Sequence, residues 1–186
     1  MRVDIWSDVV CPFCYIGKKR LEAVAKEAEI ELEIHWHSYQ LDPEAPQSQS
    51  ISNTERLAQK YGRTLAEVEE MQRNIADMAK AEGIEFNWQQ ANSGNTFNAH
   101  RLIHLAQSKG LGNEAQEALF YSYMTQGLKI GERETLEDVA ARIGLNPVEV
   151  DDLLDGNEFA DFVEFDQEVA REQLKVTGVP FFVFDQ

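Results

Sequence analysis

The sequence predicts an α/β protein whose small core is interrupted by a long helical segment. Three observations predict this class. The first forty residues have the pattern of a strand, a helix and a strand, and a β-favouring run occupies residues 181–184. Between them, about a hundred residues carry helical spacing and capping signals. We therefore expect a core formed by residues 1–40 and 158–186, with a helical insertion at 41–157.

The first strand–helix–strand unit follows from the spacing of apolar residues. Residues 2–7 alternate between apolar and polar side chains, as do residues 31–39, so both are predicted strands. Between Cys11 and Ala28, apolar residues recur at helical spacing. A crossover through such a helix favours a parallel pairing of the two strands.

Capping residues and glycines divide the insertion into helices. Residues 41–53 hold two prolines and a Gln/Ser run, which predict a linker. Thr64 to Glu67 predicts a capping box, and Thr135 with Asp138 predicts another helix start. Phe162 and Leu174 are expected on the buried face of the last helix. The predicted helices cover about 53–62, 64–83, 95–110, 114–125, 135–144, 146–156 and 157–174.

The composition is that of a globular protein with a large acidic excess. Of the 186 residues, 43% are hydrophobic, and 33 acidic side chains stand against 17 basic ones, for a net charge of −16. Such a charge would repel phosphate, so neither nucleic acid nor a membrane is an expected partner. No apolar run approaches the roughly 20 residues of a membrane span, and no export signal is evident. We expect a cytoplasmic protein.

The strongest chemical signal is a pair of cysteines, Cys11 and Cys14, at the predicted turn from strand to helix. A disulfide that closes so short a loop contributes little stability. At a helix N-terminus, however, the unpaired N–H groups and the helix dipole favour a thiolate. Pro12 suits the first helical turn, where its missing N–H costs nothing. We predict that Cys11 is a nucleophile and that Cys14, one turn further on, is a resolving thiol.

Two other interpretations of the cysteines stay open. They could form half of a zinc site with His35 and His37, which would make the chain a zinc-binding structural module. Two histidines two apart in a strand differ from the helix-borne pairs of most zinc sites, and Pro12 favours redox chemistry. Alternatively, the cysteines could be incidental buried residues. We predict no metal site.

Other polar residues have weaker signals. Asp4 could lie near the thiols as a proton acceptor for Cys14, or on the surface. The basic run Lys18–Arg20 is expected to form the exposed side of the first helix. His100 and His104 are spaced to share a metal ion, but a solvated or capping role is the stronger expectation.

The Val179–Pro180 step is a candidate cis peptide bond before the last strand. Beside the cysteine pair, it would leave the backbone of Val179 free to pair with a peptide-like substrate. A trans proline at the start of an edge strand is the alternative.

Three separated motifs resemble the DsbA-like thioredoxin superfamily, and most closely its cytosolic FrnE-like branch. They are SDVVCPFCYIGK at Ser7–Lys18, NTFNAHRL at Asn95–Leu102 and TGVPFFVF at Thr177–Phe184. The resemblance implies a thioredoxin fold with a helical insertion, and thiol–disulfide oxidoreductase or isomerase activity at the two cysteines. It implies that Pro180 is the cis-proline. The family continues with another strand and a helix, which we expect to be missing from this sequence.

The resemblance also implies the remaining site residues and partners. The expected supporting residues are Pro12, Phe13, Val179 and Pro180, and the expected substrate contacts are Trp6, Asn95, Thr96 and His100. The substrate would be a disulfide-containing protein or a small thiol, and a separate reductant or oxidant would recycle the dithiol.

No cofactor beyond the dithiol is expected, although glutathione is an alternative. Kappa-class glutathione transferases and 2-hydroxychromene-2-carboxylate isomerases share the insertion, use glutathione and typically carry serine at the position of Cys11. The direction of electron flow and the oligomeric state do not follow from the sequence.

Overall fold

The sheet at the centre of the fold has three strands within residues 1–185, the part of the chain that the computed structural model describes. The strands are β1 (Arg2–Ser7), β2 (Glu33–Ser38) and β3 (Phe181–Phe184), in the order β2–β1–β3. Strand β1 pairs with β2 in parallel, as the crossover predicts, and with β3 in antiparallel orientation. The predicted α/β class is confirmed.

Helix α1 (Pro12–Glu27) connects the two parallel strands. Cys11 is its N-cap residue, with extended backbone angles, and Pro12 occupies the first helical position. No acidic side chain lies in the first turn and no side chain caps it. The first N–H groups of α1 are therefore left to interact with whatever lies at the helix start, which includes the Cys11 sulfur.

Seven further helices within the described residues follow β2. They are α2 (Asn53–Tyr61), α3 (Leu65–Ala81), α4 (Phe97–Ser108), α5 (Gly112–Met124), α6 (Arg133–Arg142), α7 (Pro147–Asp155) and α8 (Ala160–Glu168). The predicted capping box at Thr64 and Glu67 is confirmed, and Ser52 with Glu55 forms a second one at the start of α2. None of the described helices is long and apolar enough to cross a membrane.

Two predictions about helix ends and faces are wrong. Helix α6 begins at Arg133 after the N-cap Glu132, so Thr135 lies buried inside the helix and does not cap it. The last helix begins at Ala160, three residues later than predicted, and Phe162 is 58% exposed.

Polar residues explain the error at the last helix. The inward positions of α8 are held by Val163, Asp166 and Gln167, and the two polar side chains hydrogen-bond to β2 and the residues after it. A search for apolar spacing therefore selects the wrong face. A π-helical turn follows at Val169–Gln173 and changes which face of the helix each later residue occupies. Leu174, which was expected to be buried, is exposed.

One continuous hydrophobic cluster joins the sheet to the insertion. It includes Val3 and Ile5 of β1, both cysteines, and apolar residues of helices α3 to α7. A smaller cluster around Trp6, Tyr39, Ala170 and Val176 is separate from it. Since the main cluster crosses the predicted boundaries at residues 40 and 158, the division into core and insertion stays a prediction.

The prediction that the basic run of α1 is exposed holds for Arg20 but is wrong for Lys18. Lys18 is 2% exposed, and its Nζ lies 2.7 Å from carboxylate oxygens of both Glu22 and Glu117. Lys19 also pairs with Glu117, at 2.6 Å, and Tyr15 donates its hydroxyl to the same carboxylate at 2.6 Å. This network ties α1 to α5, and the charge of Lys18 is paired where it is buried.

Candidate active site

The two cysteines lie at the start of α1 with free thiols. Cys11 is 4% exposed and Cys14 is 1% exposed. The turn that carries them is closed by backbone hydrogen bonds from Cys11 N to Asp8 O, at 3.0 Å, and from Cys14 N to Cys11 O, at 3.1 Å. The carboxyl end of β1 thus delivers Cys11 to the helix N-terminus, as the sequence predicts for a strand-to-helix turn.

The surroundings of Cys11 favour its thiolate. A hydrogen bond from the Cys14 thiol is the largest cause that lowers the pKa of Cys11, and the backbone N–H groups of Cys14 and Phe13 add to it. Burial and the negative charge of Asp8 oppose ionisation but do not outweigh these bonds. Of the two sulfurs, Cys11 is therefore the one whose thiolate is favoured.

Cys14 is held in its neutral form. Burial raises its pKa well above the usual value for a thiol, and its hydrogen bond to the Cys11 sulfur acts in the same direction. The Ser7 hydroxyl and the backbone N–H of Asp8 oppose this shift, because both can hydrogen-bond to the sulfur. The opposite directions of the two pKa shifts give the two sulfurs different chemistry.

The Val179 carbonyl lies against the cysteine pair. Cys11 Sγ is 3.6 Å from Val179 O, and the Val179–Pro180 peptide bond is cis. Gly17 permits this approach, because a Cβ at its position would lie 3.2 Å from Pro180 Cγ. The structure therefore brings together Cys11, Val179 and Pro180 from opposite ends of the chain.

A cavity of about 700 Å³ opens beside Cys11, Pro12 and Phe13 and extends between α2 and α3. Its exposed apolar lining residues are Phe13, Leu41, Tyr61 and Met78. Its buried polar lining residues are Asp8, Asn53, Gln72, Ser93, Thr96 and Tyr123. The cavity thus offers apolar contacts at exposed positions and hydrogen-bonding groups at buried positions, with Cys11 in its wall.

The other predicted substrate contacts lie in different places. Thr96 lines the cavity, whereas Asn95 donates its side-chain amide to Pro43 O and Ala45 O, at 3.0 and 3.1 Å, and holds that loop. His100 is buried, with its Nε2 3.3 Å from Asp8 Oδ1.

Trp6 does not line the cavity. Its ring stacks on His37 at 4.3 Å, and its Nε1 donates to Asp166 O at 3.0 Å. The structure therefore places Trp6 in the smaller hydrophobic cluster and not among the cavity residues.

Sequence reasoning selected the wrong acid. Asp4 pairs with Arg2 and His37, both at 2.8 Å, and does not act on the thiols. The acid beside the cysteines is Asp8, three residues before Cys11. The sequence does contain a signal for Asp8, because it directly follows β1, and residues at the end of a strand lie next to the N-terminus of the following helix.

The histidines do not converge with the cysteines. His35 lies 2.9 Å from Glu33, His37 lies between Asp4 and Asp166, and His104 contacts Asp166. Among residues 1–185, no three His, Cys, Asp or Glu side chains are grouped so that they could hold a metal ion. The zinc interpretation, which needs Cys11, Cys14, His35 and His37 together, has no support in this geometry.

Comparison with known proteins identifies the family. The DSBA-like thioredoxin domain matches residues 2–186, so the chain belongs to this family of thioredoxin-fold disulfide oxidoreductases and isomerases.

Three solved structures are similar to it. A probable DsbA oxidoreductase from Streptomyces coelicolor superposes with a TM-score of 0.91 and 33% identity, covering 98% of this chain and 80% of that one. A 2-hydroxychromene-2-carboxylate isomerase superposes with a TM-score of 0.70 and 17% identity, covering 100% of this chain and 86% of that one. The cytosolic disulfide reductase DsbM from Pseudomonas aeruginosa superposes with a TM-score of 0.69 and 17% identity, covering 100% of this chain and 85% of that one. At 17% identity, the last two show the shared fold alone.

Proposed function

We propose that the protein is a thiol–disulfide oxidoreductase that works through Cys11 and Cys14. The observation that carries the proposal is the position of two free cysteines at the N-terminus of α1, where the surroundings lower the pKa of Cys11 and raise that of Cys14. A thiolate attacks disulfides, whereas a thiol does not, so the first attack belongs to Cys11. Cys11 is also the cysteine whose side chain reaches the cavity.

In the first step, the Cys11 thiolate attacks one sulfur of a substrate disulfide. A Cys11–substrate disulfide forms, the substrate S–S bond breaks, and the second substrate sulfur leaves as a thiolate. Loss of the Cys11 charge removes one cause of the raised pKa of Cys14, because the Cys11 thiolate repels a second negative charge. Cys14 can then lose its proton to the departing thiolate.

In the second step, the Cys14 thiolate attacks Cys11 Sγ. The Cys11–Cys14 disulfide forms and the remaining substrate sulfur leaves as a thiolate, so the substrate gains two electrons and the protein loses them. A thiol reductant must then return the protein to its dithiol form, and the same steps run backwards would oxidise a dithiol substrate. The lowered pKa of Cys11 serves both directions.

The cavity and Val179 are the proposed substrate contacts. The exposed apolar residues near Cys11 suit an apolar segment of the substrate next to its disulfide. The Val179 carbonyl can accept a hydrogen bond from the backbone N–H of a peptide-like substrate. The FrnE-like branch and the cytoplasmic location stay predictions.

A glutathione-dependent transferase or isomerase is the second candidate, because the cavity volume lies in the range of small-molecule sites. Such an enzyme would use Cys11 and have no need for a resolving thiol. The two candidates therefore differ in whether Cys14 is required.

The test is disulfide reduction by the protein and by the matched variants Cys11→Ser and Cys14→Ser. We expect Cys11→Ser to abolish reduction of insulin disulfides, and Cys14→Ser to accumulate a mixed disulfide that mass spectrometry detects at Cys11. Full activity in both variants would falsify the redox proposal. Saturable glutathione binding with full transferase activity in Cys14→Ser would favour the second candidate.

A further inference from the structure

Helix α2 forms one wall of the cavity that leads to Cys11. The residues of α2 that line this cavity are Asn53, Arg56, Leu57, Lys60 and Tyr61. Cys11 itself is 4% exposed, and the cavity volume of about 700 Å³ is in the range of small-molecule sites. With α2 in this position, a disulfide on the surface of another protein cannot come into contact with the Cys11 sulfur. Attack on such a disulfide therefore requires a cavity wall to move.

The wall formed by α2 has few apolar contacts to hold it. Within α2, which the structure describes in full, Ala58 is the one apolar residue that is buried, and α3 is the element that packs most against this helix. Residues 41–52 before it, all within the described part of the chain, contain no helix or strand. After it, the chain turns at Gly62, which has a left-handed φ of 61°. A short helix with these properties can open locally while the rest of the protein stays folded.

Polar contacts join α2 to the segments around it. They are Gln72 Nε2 to Thr54 Oγ1 at 2.8 Å, Ser93 Oγ to Asn53 Oδ1 at 3.1 Å, and Arg56 Nη1 to Asp42 Oδ2 at 3.2 Å. The Arg56–Asp42 pair is partly exposed, so water can replace it at little cost. The Thr54–Gln72 hydrogen bond, which we call the latch, is the shortest of these contacts and joins α2 to α3 directly.

The closed position of α2 leaves a polar atom beside the latch without a partner. Gln72 is 1% exposed, and among the described residues its Oε1 has no hydrogen-bond partner, although its Nε2 is bound to Thr54. A buried carbonyl oxygen without a partner costs free energy that a hydrogen bond to water would recover. Movement of α2 away from α3 would let water reach this oxygen. The closed position is therefore less stable than the packing of α2 alone would make it.

We propose that α2 is a lid over Cys11, held by the latch, which opens at the turn around Gly62 to admit the disulfides of proteins. The closed position admits small thiols and disulfides only. The choice of disulfides as substrates rests on the proposed function, whereas the movement of α2 needs no redox chemistry and can be tested without it.

The experiment compares alkylation of Cys11 by iodoacetamide and by a maleimide attached to a large polyethylene glycol chain, with the modified residue located by mass spectrometry. Thr54→Val keeps the branched shape of the side chain but removes the latch, so that neither polar atom of Gln72 has a partner when the lid is closed. We expect the rate with the bulky maleimide to rise about tenfold and the rate with iodoacetamide to change less than about twofold. Equal changes for the two reagents, or no change, would overturn the proposal.

A second substitution distinguishes a lid from a helix that is merely loosened. In Thr54→Val with Gln72→Leu, apolar groups face each other and no buried polar atom is left without a partner. The rate with the bulky maleimide should then return to within about twofold of that of the unaltered protein. A further rise in the double variant would contradict the proposal.

Thr125→Val is the matched control. It removes a hydrogen bond of similar length, from Thr125 Oγ1 to Glu85 O at 2.7 Å, at a position that does not line the cavity. Both alkylation rates should stay as they are in the unaltered protein. A rise with the bulky maleimide equal to that of Thr54→Val would show that any lost hydroxyl has this effect, and the lid would be rejected.

Hydrogen exchange on the unaltered protein tests the lid if these variants do not fold. The hydrogen-bonded amides of α2 should exchange at least about tenfold faster than those of α4, and all with the same opening equilibrium. Exchange as slow as in α4, or a gradient that starts at the helix ends and indicates fraying, would overturn the proposal. If α2 opens as expected but the protein reduces no disulfide, the proposed function fails and the lid remains.

Discussion

His37 lies 2.8 Å from Asp166 and joins β2 to α8 across 129 residues of chain. The other ring nitrogen of His37 lies 2.8 Å from Asp4, while Asp166 also contacts His104 at 3.1 Å. Burial opposes ionisation of Asp166, but hydrogen bonds from His104 and His37 outweigh it and lower its pKa to about 2. Burial also opposes a charge on His37, yet the bonds to Asp166 and Asp4 raise its pKa.

We predict that the His37–Asp166 contact loses its contribution to stability both at low pH and at high pH. Asp166 has a lowered pKa, so its contribution is present above about pH 4 and is lost as the pH falls towards 2. His37 has a raised pKa, so its contribution is complete below about pH 6.5 and is lost as the pH rises through the raised value. Urea unfolding at pH 3, 5.5 and 9 should give the largest free energy at pH 5.5.

The variant Asp166→Asn tests the cause. It should lose about 3 kcal/mol of unfolding free energy at pH 5.5, because it removes the carboxylate that the buried His104 and the half-buried His37 share, and its pH dependence should flatten. Asp161→Asn, at an exposed position of the same helix, should change stability by less than about 0.5 kcal/mol. An equal effect of the two substitutions would contradict the prediction.

Loss of the Ser7 hydroxyl should slow the second chemical step. This hydroxyl hydrogen-bonds to the Cys14 sulfur and lowers its pKa, and it accepts Gln116 Nε2 at 3.4 Å. One hydrogen bond to a charged sulfur is worth about 1.5 kcal/mol, so Ser7→Ala should release the mixed disulfide about tenfold more slowly, measured by quenched-flow alkylation. Ser122→Ala is the matched control, because this buried serine contacts Arg142 and Gln126 instead. Equal release rates in the two variants would remove Ser7 from the mechanism.

Glu117→Gln should destabilise the protein through Lys18. The variant keeps the shape of the side chain but removes one of the two charges that balance a buried ammonium group. Because Glu22 remains, we expect a loss of about 2 kcal/mol in chemical denaturation. Glu82→Gln breaks the pair with Arg20, whose side chain is 57% exposed, and should cost less than about 1 kcal/mol. If Glu117→Gln leaves the free energy of unfolding unchanged, Glu22 alone is enough to balance the charge of Lys18.

Gly131→Ala should also destabilise the protein. Gly94 and Gly131 both approach the Gln47 carbonyl so closely that a Cβ on either would overlap its oxygen. Relieving such an overlap shifts backbone, which costs about 1–3 kcal/mol. Gly178→Ala serves as the comparison for stability, because nothing lies within 4 Å of a Cβ there. If thermal unfolding of Gly131→Ala matches that of Gly178→Ala, the loop at Gln47 is able to move away.

The local parts of the structure could be predicted from the sequence. Alternation in β1 and β2, helical spacing after Cys11 and the capping box at Thr64 all depend on neighbouring residues. The position of the cysteines at a helix N-terminus follows from the same short-range pattern, and the structure places them there.

Contacts between distant residues were not predictable. Lys18 has the pattern of a surface residue, because its partner Glu117 lies 99 positions later in the chain. Asp8 acquires its buried partner His100 across 92 positions, and the inward positions of α8 are polar because their partners lie on β2. In each case, pairing across the fold overrides the rule that polar side chains face water.

The placement of Cys14 behind Cys11 has a consequence for selectivity. A bulky thiol that enters through the cavity meets one sulfur only, since Cys14 does not line the cavity wall. In the proposed reaction, donor and acceptor substrates would therefore form the same covalent adduct with Cys11, in whichever direction the electrons are transferred. The burial of Cys14, and not the relative reactivity of two exposed sulfurs, would then decide which sulfur of a Cys11–Cys14 disulfide is attacked.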